Sequence, residues 1–204
     1  MIELLLENVG RKFGQEWVFR SIHAQLKAGD KCAIVGNNGS GKSTLLKMIS
    51  GALLPSEGRI SYRWKGEALE EEQLYRMVSI VGPYTVLPEE LTLLELVGFV
   101  RRFRQLALPK REFVEAVRLW PARKKQVKYF SSGMKQRLQL GLAFYANSPL
   151  VLLDEPSSNL DRENTDWYLS MVEKPMPEQI VVISSNMPRE YQCCQDILDM
   201  ALFK

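Results

Sequence analysis

With 204 residues, the chain has room for one large domain, or one domain with an insert, and for a substantial core. Its 27 Lys and Arg against 24 Asp and Glu leave a net charge of +3, too mild to point to a partner class. No apolar run reaches the roughly 18–20 residues that a bilayer span needs, Met1-Ile2-Glu3-Leu4 lacks the basic start of a signal peptide, and Cys32, Cys193 and Cys194 form neither a disulfide framework nor a zinc spacing.

In chain order, apolar alternation predicts strands over 2–9 and 18–26, with a turn near Gly10 and Gly14 between them. A tight turn at 27–30 leads into the apolar run 32–35, which reads as a buried strand. Gly36-Asn37-Asn38-Gly39-Ser40-Gly41-Lys42-Ser43 follows, with the phosphate-loop spacing of Gly, four residues and Gly-Lys-Ser. From Thr44 the apolar spacing is helical and stops at Gly51. Strand, glycine-rich turn and helix start together make an anion site, because backbone N–H groups converge there and the helix dipole adds positive charge. Gly36, Gly39 and Gly41 allow the backbone to wrap a phosphate chain. Lys42 is the residue expected at the β- and γ-phosphates of a nucleotide, and the Ser43 hydroxyl at Mg²⁺. The competing reading, a glycine turn with a chance lysine, does not account for both flanks.

Further along, strands are predicted at 59–64 and 77–81, with the charged stretch 66–76 reading as a short helix. A helix is predicted over 91–104, with Thr92 and Glu95 forming a capping box. Others follow at 110–119, 132–147, 161–174 and 188–194, and strands at 150–153 and 180–184. Apolar strands interleaved with helices imply an α/β fold with a mostly parallel sheet covered on both faces. The stretch from about 84 to 130 has no strand pattern and reads as a helical insert. The strand at 150–153 ends in Asp154 and Glu155. An Asp there suits Mg²⁺, and a carboxylate just beyond suits polarisation of an attacking water. A solvated acidic turn is the alternative.

Three motifs together resemble the ATP-binding cassette (ABC) ATPase family: residues 38–45, Leu153-Asp154-Glu155-Pro156, and Ser131-Ser132-Gly133-Met134-Lys135-Gln136-Arg137. The resemblance covers nearly the whole chain. It implies a P-loop NTPase of ABC type, with an N-terminal antiparallel β-subdomain beside the parallel sheet. The chain would be a single nucleotide-binding domain, 1–204, carrying the insert. The third motif is similar to the family signature Leu-Ser-Gly-Gly-Gln. Ser131 and Gly133 match, whereas Phe130, Ser132 and Met134 depart. In the family this helix tip caps the γ-phosphate of ATP held by another subunit, so one chain carries two half-sites. Phe13 stands where the adenine-stacking aromatic is expected, with a core role as its alternative and Trp17 as a weaker candidate. Asp161 matches the Asp that communicates across the dimer.

Two positions depart further. The family histidine after the last core strand is Asn186 here, and the family glutamine after the strand ending near Val81 is Pro83. Asn186 is expected to orient the γ-phosphate without carrying a proton. Slower hydrolysis is the expected result.

The resemblance implies the ATP-hydrolysing subunit of a transporter, with ATP and Mg²⁺ as cofactors. It would work as a homodimer or heterodimer of cassettes, bound at the cytoplasmic face of a membrane through an integral-membrane subunit. The basic residues of the insert, among them Arg101, Arg102, Arg111 and Lys124, fit anionic headgroups or an acidic partner loop, or simply a solvated face. Two alternatives stand beside this reading. One is a soluble ABC ATPase acting on nucleic acid or ribosomes, disfavoured by the absence of a second cassette or coiled coil. The other is a regulatory subunit that binds ATP with little turnover.

Overall fold

A computed structural model describes residues 1–83 and 85–204. The chain divides into two compact units. The first comprises Met1–Ile80, Ser148–Glu155 and Pro175–Lys204, and the second Val81–Asn147 and Pro156–Lys174.

The first unit is built on two sheets. The antiparallel one has the order β2-β1-β4-β5, from β1 (Ile2–Phe13), β2 (Glu16–Lys27), β4 (Glu57–Trp64) and β5 (Glu67–Ala68). In β1, Ile2, Leu4 and Leu6 point into the core, and then the buried phase shifts to Val9. A bulge causes the shift. Glu7 pairs with Arg59 and Gly10 with Glu57, so Asn8 and Val9 together face the single residue Gly58. Asn8 (φ 50°) and Gly58 (φ 75°) both take left-handed conformations there.

The second sheet has the order β6-β7-β8-β3-β9. It consists of β3 (Lys31–Val35), β6 (Val78–Val81), β7 (Leu150–Asp154), β8 (Ile180–Ser184) and β9 (Asp196–Asp199). β7, β8, β3 and β9 run parallel. Every residue of β7 and β8 is buried, as expected of a parallel sheet covered on both sides. Their register pairs Leu150 with Ile180 and ends by pairing Asp154 with Ser184. Leu150, Leu152, Ile180, Val182, Cys32 and Ile34 pack in one cluster with Leu45, Leu46, Met48 and Ile49 of α1 (Lys42–Ile49). Side chains alternate along a strand, so Asp154 and Ser184 continue this α1-facing row. α2 (Glu71–Met77) occupies the charged stretch that the sequence read as a short helix.

The second unit is helical: α3 (Leu93–Val100), α4 (Lys110–Ala116), α5 (Ser132–Tyr145) and α6 (Arg162–Val172). The Thr92–Glu95 capping box is complete, with both reciprocal bonds formed. Among the described residues of 84–130 there is no strand, only isolated bridges. The cations there are partly paired: Arg111 with Glu115, Arg118 with Glu163 and Lys128 with Glu90.

The structure corrects the sequence reading in several places: β1 runs through Gly10 to Phe13, which leaves the turn at Gly14, and β5 lies inside the stretch read as a short helix. The helix expected over 188–194 is a single 3₁₀ turn, Pro188–Glu190, and the chain then enters β9, an edge strand that the pattern did not reveal. β9 starts where the Lys31 N–H donates to the Gln195 side chain and the Gln195 N–H donates to the Lys31 carbonyl, a contact 164 residues apart in sequence. Cys193 and Cys194 sit in the connecting turn, half-buried. Burial pushes the Cys32 thiol up to about 12, which fits the inert core role expected of it.

A Cβ at Gly58 would lie 2.1 Å from the Asn8 carbonyl oxygen, in a backbone conformation unfavourable to side chains. Gly58→Ala is therefore expected to destabilise the chain by about 3 kcal/mol, read as a lower urea midpoint at unchanged m-value.

Candidate functional site

The first half of the site lies where β3 runs through the glycine-rich loop into α1. Gly36 and Gly41 both have positive φ, and neither has room for a side chain. A Cβ on Gly36 would meet the Ser40 Oγ at 2.8 Å, and one on Gly41 would meet Val18 Cγ1 at 2.7 Å and Phe19 Cδ1 at 2.8 Å. A Cβ on Gly39 would meet open space, and Gly39 is exposed, so this wall of the loop faces solvent. Asn37 and Asn38 are exposed, and the Ser40 N–H closes a turn onto the Asn37 carbonyl at 3.0 Å. Lys42 is buried, and its Nζ donates to the carbonyls of Gly36 at 2.8 Å and Asn37 at 3.3 Å. The ammonium thus holds the loop curled around itself. Gly41 caps α1 in the left-handed region with no side-chain bond, and no acidic residue occupies the first turn, which carries Ser43 and Thr44. The helix's positive end is left uncompensated by its own side chains.

The same sheet brings the acidic pair to this end. Asp154 closes β7 as a buried carboxylate, and its Oδ1 has no hydrogen-bond partner among the described residues. Glu155 follows in a left-handed conformation (φ 48°), which a glutamate rarely adopts. Its N–H donates to the Ser184 carbonyl at 2.9 Å, carrying the ladder one residue past the strand. Backbone strain of this sort clusters at functional sites. Asn186 lies just beyond β8, and its Nδ2 donates to the Asn38 Oδ1 at 2.8 Å. The residue at the histidine position is therefore tied to the phosphate loop itself, a link that no sequence pattern signalled. On the β1–β2 hairpin, Phe13 is 53% exposed, with the Arg11 guanidinium 4.6 Å from its ring centre. Trp17 carries Arg20 at 4.3 Å and Lys12 at 5.4 Å. Phe13 is thus not a core residue, and Trp17 already has cationic neighbours. His23 accepts from the Asn8 N–H on the hairpin.

The tip of α5 is the second candidate. Ser131 is the N-cap, and its hydroxyl accepts from the Met134 N–H at 3.3 Å. Ser131 and Ser132 are exposed, while Gly133 packs so closely that a Cβ would sit 3.0 Å from the Asn159 carbonyl oxygen. Gln136 donates to the Pro156 carbonyl at 2.7 Å, fixing the start of the 156–160 loop to the same helix. That loop ends at Asp161, the N-cap of α6, whose Oδ1 accepts from the Asn164 N–H at 2.9 Å and from its side chain. Pro83 offers no hydrogen-bonding side chain. The nearby turn is closed by the Thr85 hydroxyl, which accepts from the Gly82 N–H, and Gln139 donates to the Thr85 carbonyl.

The family described as ABC transporter matches residues 19–158, more than half of the chain. The chain is similar to the cytochrome c biogenesis ATP-binding export protein CcmA of Rhizobium etli, at 28% identity over 96% of this chain and 94% of that protein. A solved ATP-binding subunit of an ABC transporter superposes with a TM-score of 0.83 at 26% identity, covering 96% of this chain and 85% of the other. An ATP-binding cassette described as dimeric, in a post-hydrolysis state with ADP and Pi, superposes at 0.80 and 23% identity, over 96% and 93% of the two chains.

The Ser131 cap generates a stability prediction. Ser131→Ala should lower unfolding stability by about 1 kcal/mol. Amide exchange should accelerate in the first turn of α5 and stay unchanged in α6.

Proposed function

We propose that this chain, which belongs to the ABC transporter family, is the ATP-hydrolysing subunit of a transporter and closes as a dimer of cassettes around ATP. The observation that carries the reading is the buried Lys42 within a curled loop after β3, on whose sheet stands an Asp154 with a buried Oδ1 that has no hydrogen-bond partner among the described residues. Lys42 would exchange its loop carbonyls for phosphate oxygens, which are stronger acceptors for an ammonium. The loop N–H groups and the start of α1, with Thr44, would bind the remaining phosphate charge. The exposed face of Phe13 would take the adenine.

Asp154 and Ser43 suit Mg²⁺, a cation that takes one or two protein oxygens and keeps several waters. Held there, the ion would supply neutralisation of phosphate charge. Glu155 would accept a hydrogen bond from the attacking water and orient it toward the γ-phosphate. Asn186, held at Asn38, would offer an amide but no proton. The exposed Ser131–Gly133 tip of one protomer would complete the phosphate site of the other, a symmetric arrangement that closes at two chains. The dimer described for the similar cassette supports this. The whole chain would act as one nucleotide-binding domain, with 84–130 as its insert.

Among the described residues no helix is long and apolar enough to cross a membrane. The transport reading pairs this chain with an integral-membrane subunit, which would hold it at the cytoplasmic face.

Glu155→Gln should lower kcat for phosphate release at least about 100-fold and leave ATP affinity intact. A sizing column run with ATP and Mg²⁺ should then show a trapped dimer. Equal turnover in parent and variant would remove Glu155 from the reaction. Asn186→Ala should cut turnover by about tenfold through loss of the Asn38 link. Asn186→His should raise it above the parent, and a variant pair that matches the parent in steady-state assays would leave Asn186 with no role.

A further inference from the structure

β8 ends in two serines that do different things. Ser185 is buried, and its hydroxyl accepts from the Met187 N–H at 2.9 Å, an ordinary turn contact. Ser184 is fully buried, and its Oγ has no hydrogen-bond partner among the described residues. A hydroxyl taken from water and left unpaired is costly. An aliphatic residue, as at Ile180 and Val182 on the same row, would fill the position without that cost.

The neighbour of Ser184 is equally unusual. Asp154 is its direct partner in the parallel register, so the two side chains leave the sheet on the same face. Asp154 Oδ1 is also buried and has no hydrogen-bond partner among the described residues. These two groups do not hydrogen-bond each other, although a hydroxyl donor and a carboxylate acceptor stand on adjacent strands. The row they end is the one covered by α1, whose first turn carries Ser43. Two orphaned oxygens side by side, one charged and one neutral, at the mouth of a phosphate loop, make a site for something that donates hydrogen bonds to both. A water on a divalent cation does so: it has two strongly polarised protons, and Mg²⁺ retains several such waters. The serine oxygen has lone pairs for one of them.

We propose that Ser184 is a positioning residue for the divalent cation: its hydroxyl, beside the Asp154 carboxylate, accepts a hydrogen bond from a water ligand of the ion that binds with nucleotide. The inference rests on the nucleotide-binding reading above. It adds a protein group from β8 to the cation site, next to the expected Ser43 and Asp154. Outer-shell partners of this type hold a metal's ligands in place and commonly change its affinity by an order of magnitude when removed.

The test uses the full chain, ADP, and Mn²⁺ as a spectroscopic stand-in for Mg²⁺. Free Mn²⁺ is followed by electron paramagnetic resonance while the protein–ADP complex is titrated, and ADP affinity is measured separately in EDTA. Ser184→Ala should weaken Mn²⁺ binding about tenfold and leave metal-free ADP affinity unchanged. Ser184→Thr, which restores a hydroxyl on a β-branched side chain suited to a strand, should recover Mn²⁺ binding. Should Ser184→Ala fail to fold, Ser184→Cys keeps the packing volume, and its poor acceptor should show the same weakening. Mn²⁺ affinity unaltered in the alanine or cysteine variant overturns the proposal. Loss of ADP affinity in EDTA by the same factor assigns Ser184 a structural role and overturns it too. A parent protein that binds ADP with no gain from Mn²⁺ overturns the cation site alone, whereas one that binds no ADP at all overturns the nucleotide reading itself.

Discussion

The register of one parallel ladder decides where every polar group of the first unit's site emerges. β7 and β8 are five residues each and buried throughout, so neither can slide without exposing an apolar row or burying a charge. Held in that register, the strands finish at the same level. Their first polar residues, Asp154 and Ser184, come out side by side, with the β3 turn on the neighbouring strand. The chemistry is thus a boundary phenomenon: it begins where apolar burial stops. A shift of one residue would turn Asp154 to the opposite face and separate it from α1.

The second unit reaches its site by a different route. There the organising device is the helix end. Thr92, Ser131 and Asp161 each cap a helix with a side-chain oxygen, and two of the three are candidate nucleotide-site residues. Capping and ligand contact draw on the same supply of oxygen lone pairs. Ser131 and Asp161 therefore do local structural work regardless of any partner, and the sequence cannot separate the two duties. Gln136 adds a mechanical link, since its bond to the Pro156 carbonyl ties the 156–160 loop to α5, and Gly133 lets the tip pack close to Asn159. A displacement of that loop reaches the tip directly.

Much of this was legible in the sequence because the signals are local. The glycine spacing, the apolar runs before Asp154 and before Ser184, and the Thr92–Glu95 pair each state a backbone geometry within a few residues. The elements that escaped are set by distant partners. β9 is an edge strand whose start is fixed by Lys31, far away in the chain, and its four residues, two exposed and two half-buried, leave no apolar run to read. The turn at Pro188 lets a plausible helix pattern fail after three residues. The Asn38–Asn186 bond and the orphaned Ser184 hydroxyl need the sheet to be assembled before they exist. For Ser184 a weak signal was present. Even-numbered alternation from Ile180 places its side chain level with Asp154 once the two strands are known to be parallel and in register.

Glu155 carries a consequence of its own. Its left-handed backbone costs about 1–3 kcal/mol, borne by a half-buried residue whose carboxylate has no hydrogen bond or ion pair among the described residues. Asparagine or glycine would relax that dihedral at once, so a selection for thermal robustness alone should drift toward those residues. Under the role proposed for Glu155, durability and turnover would then oppose each other at a single torsion angle.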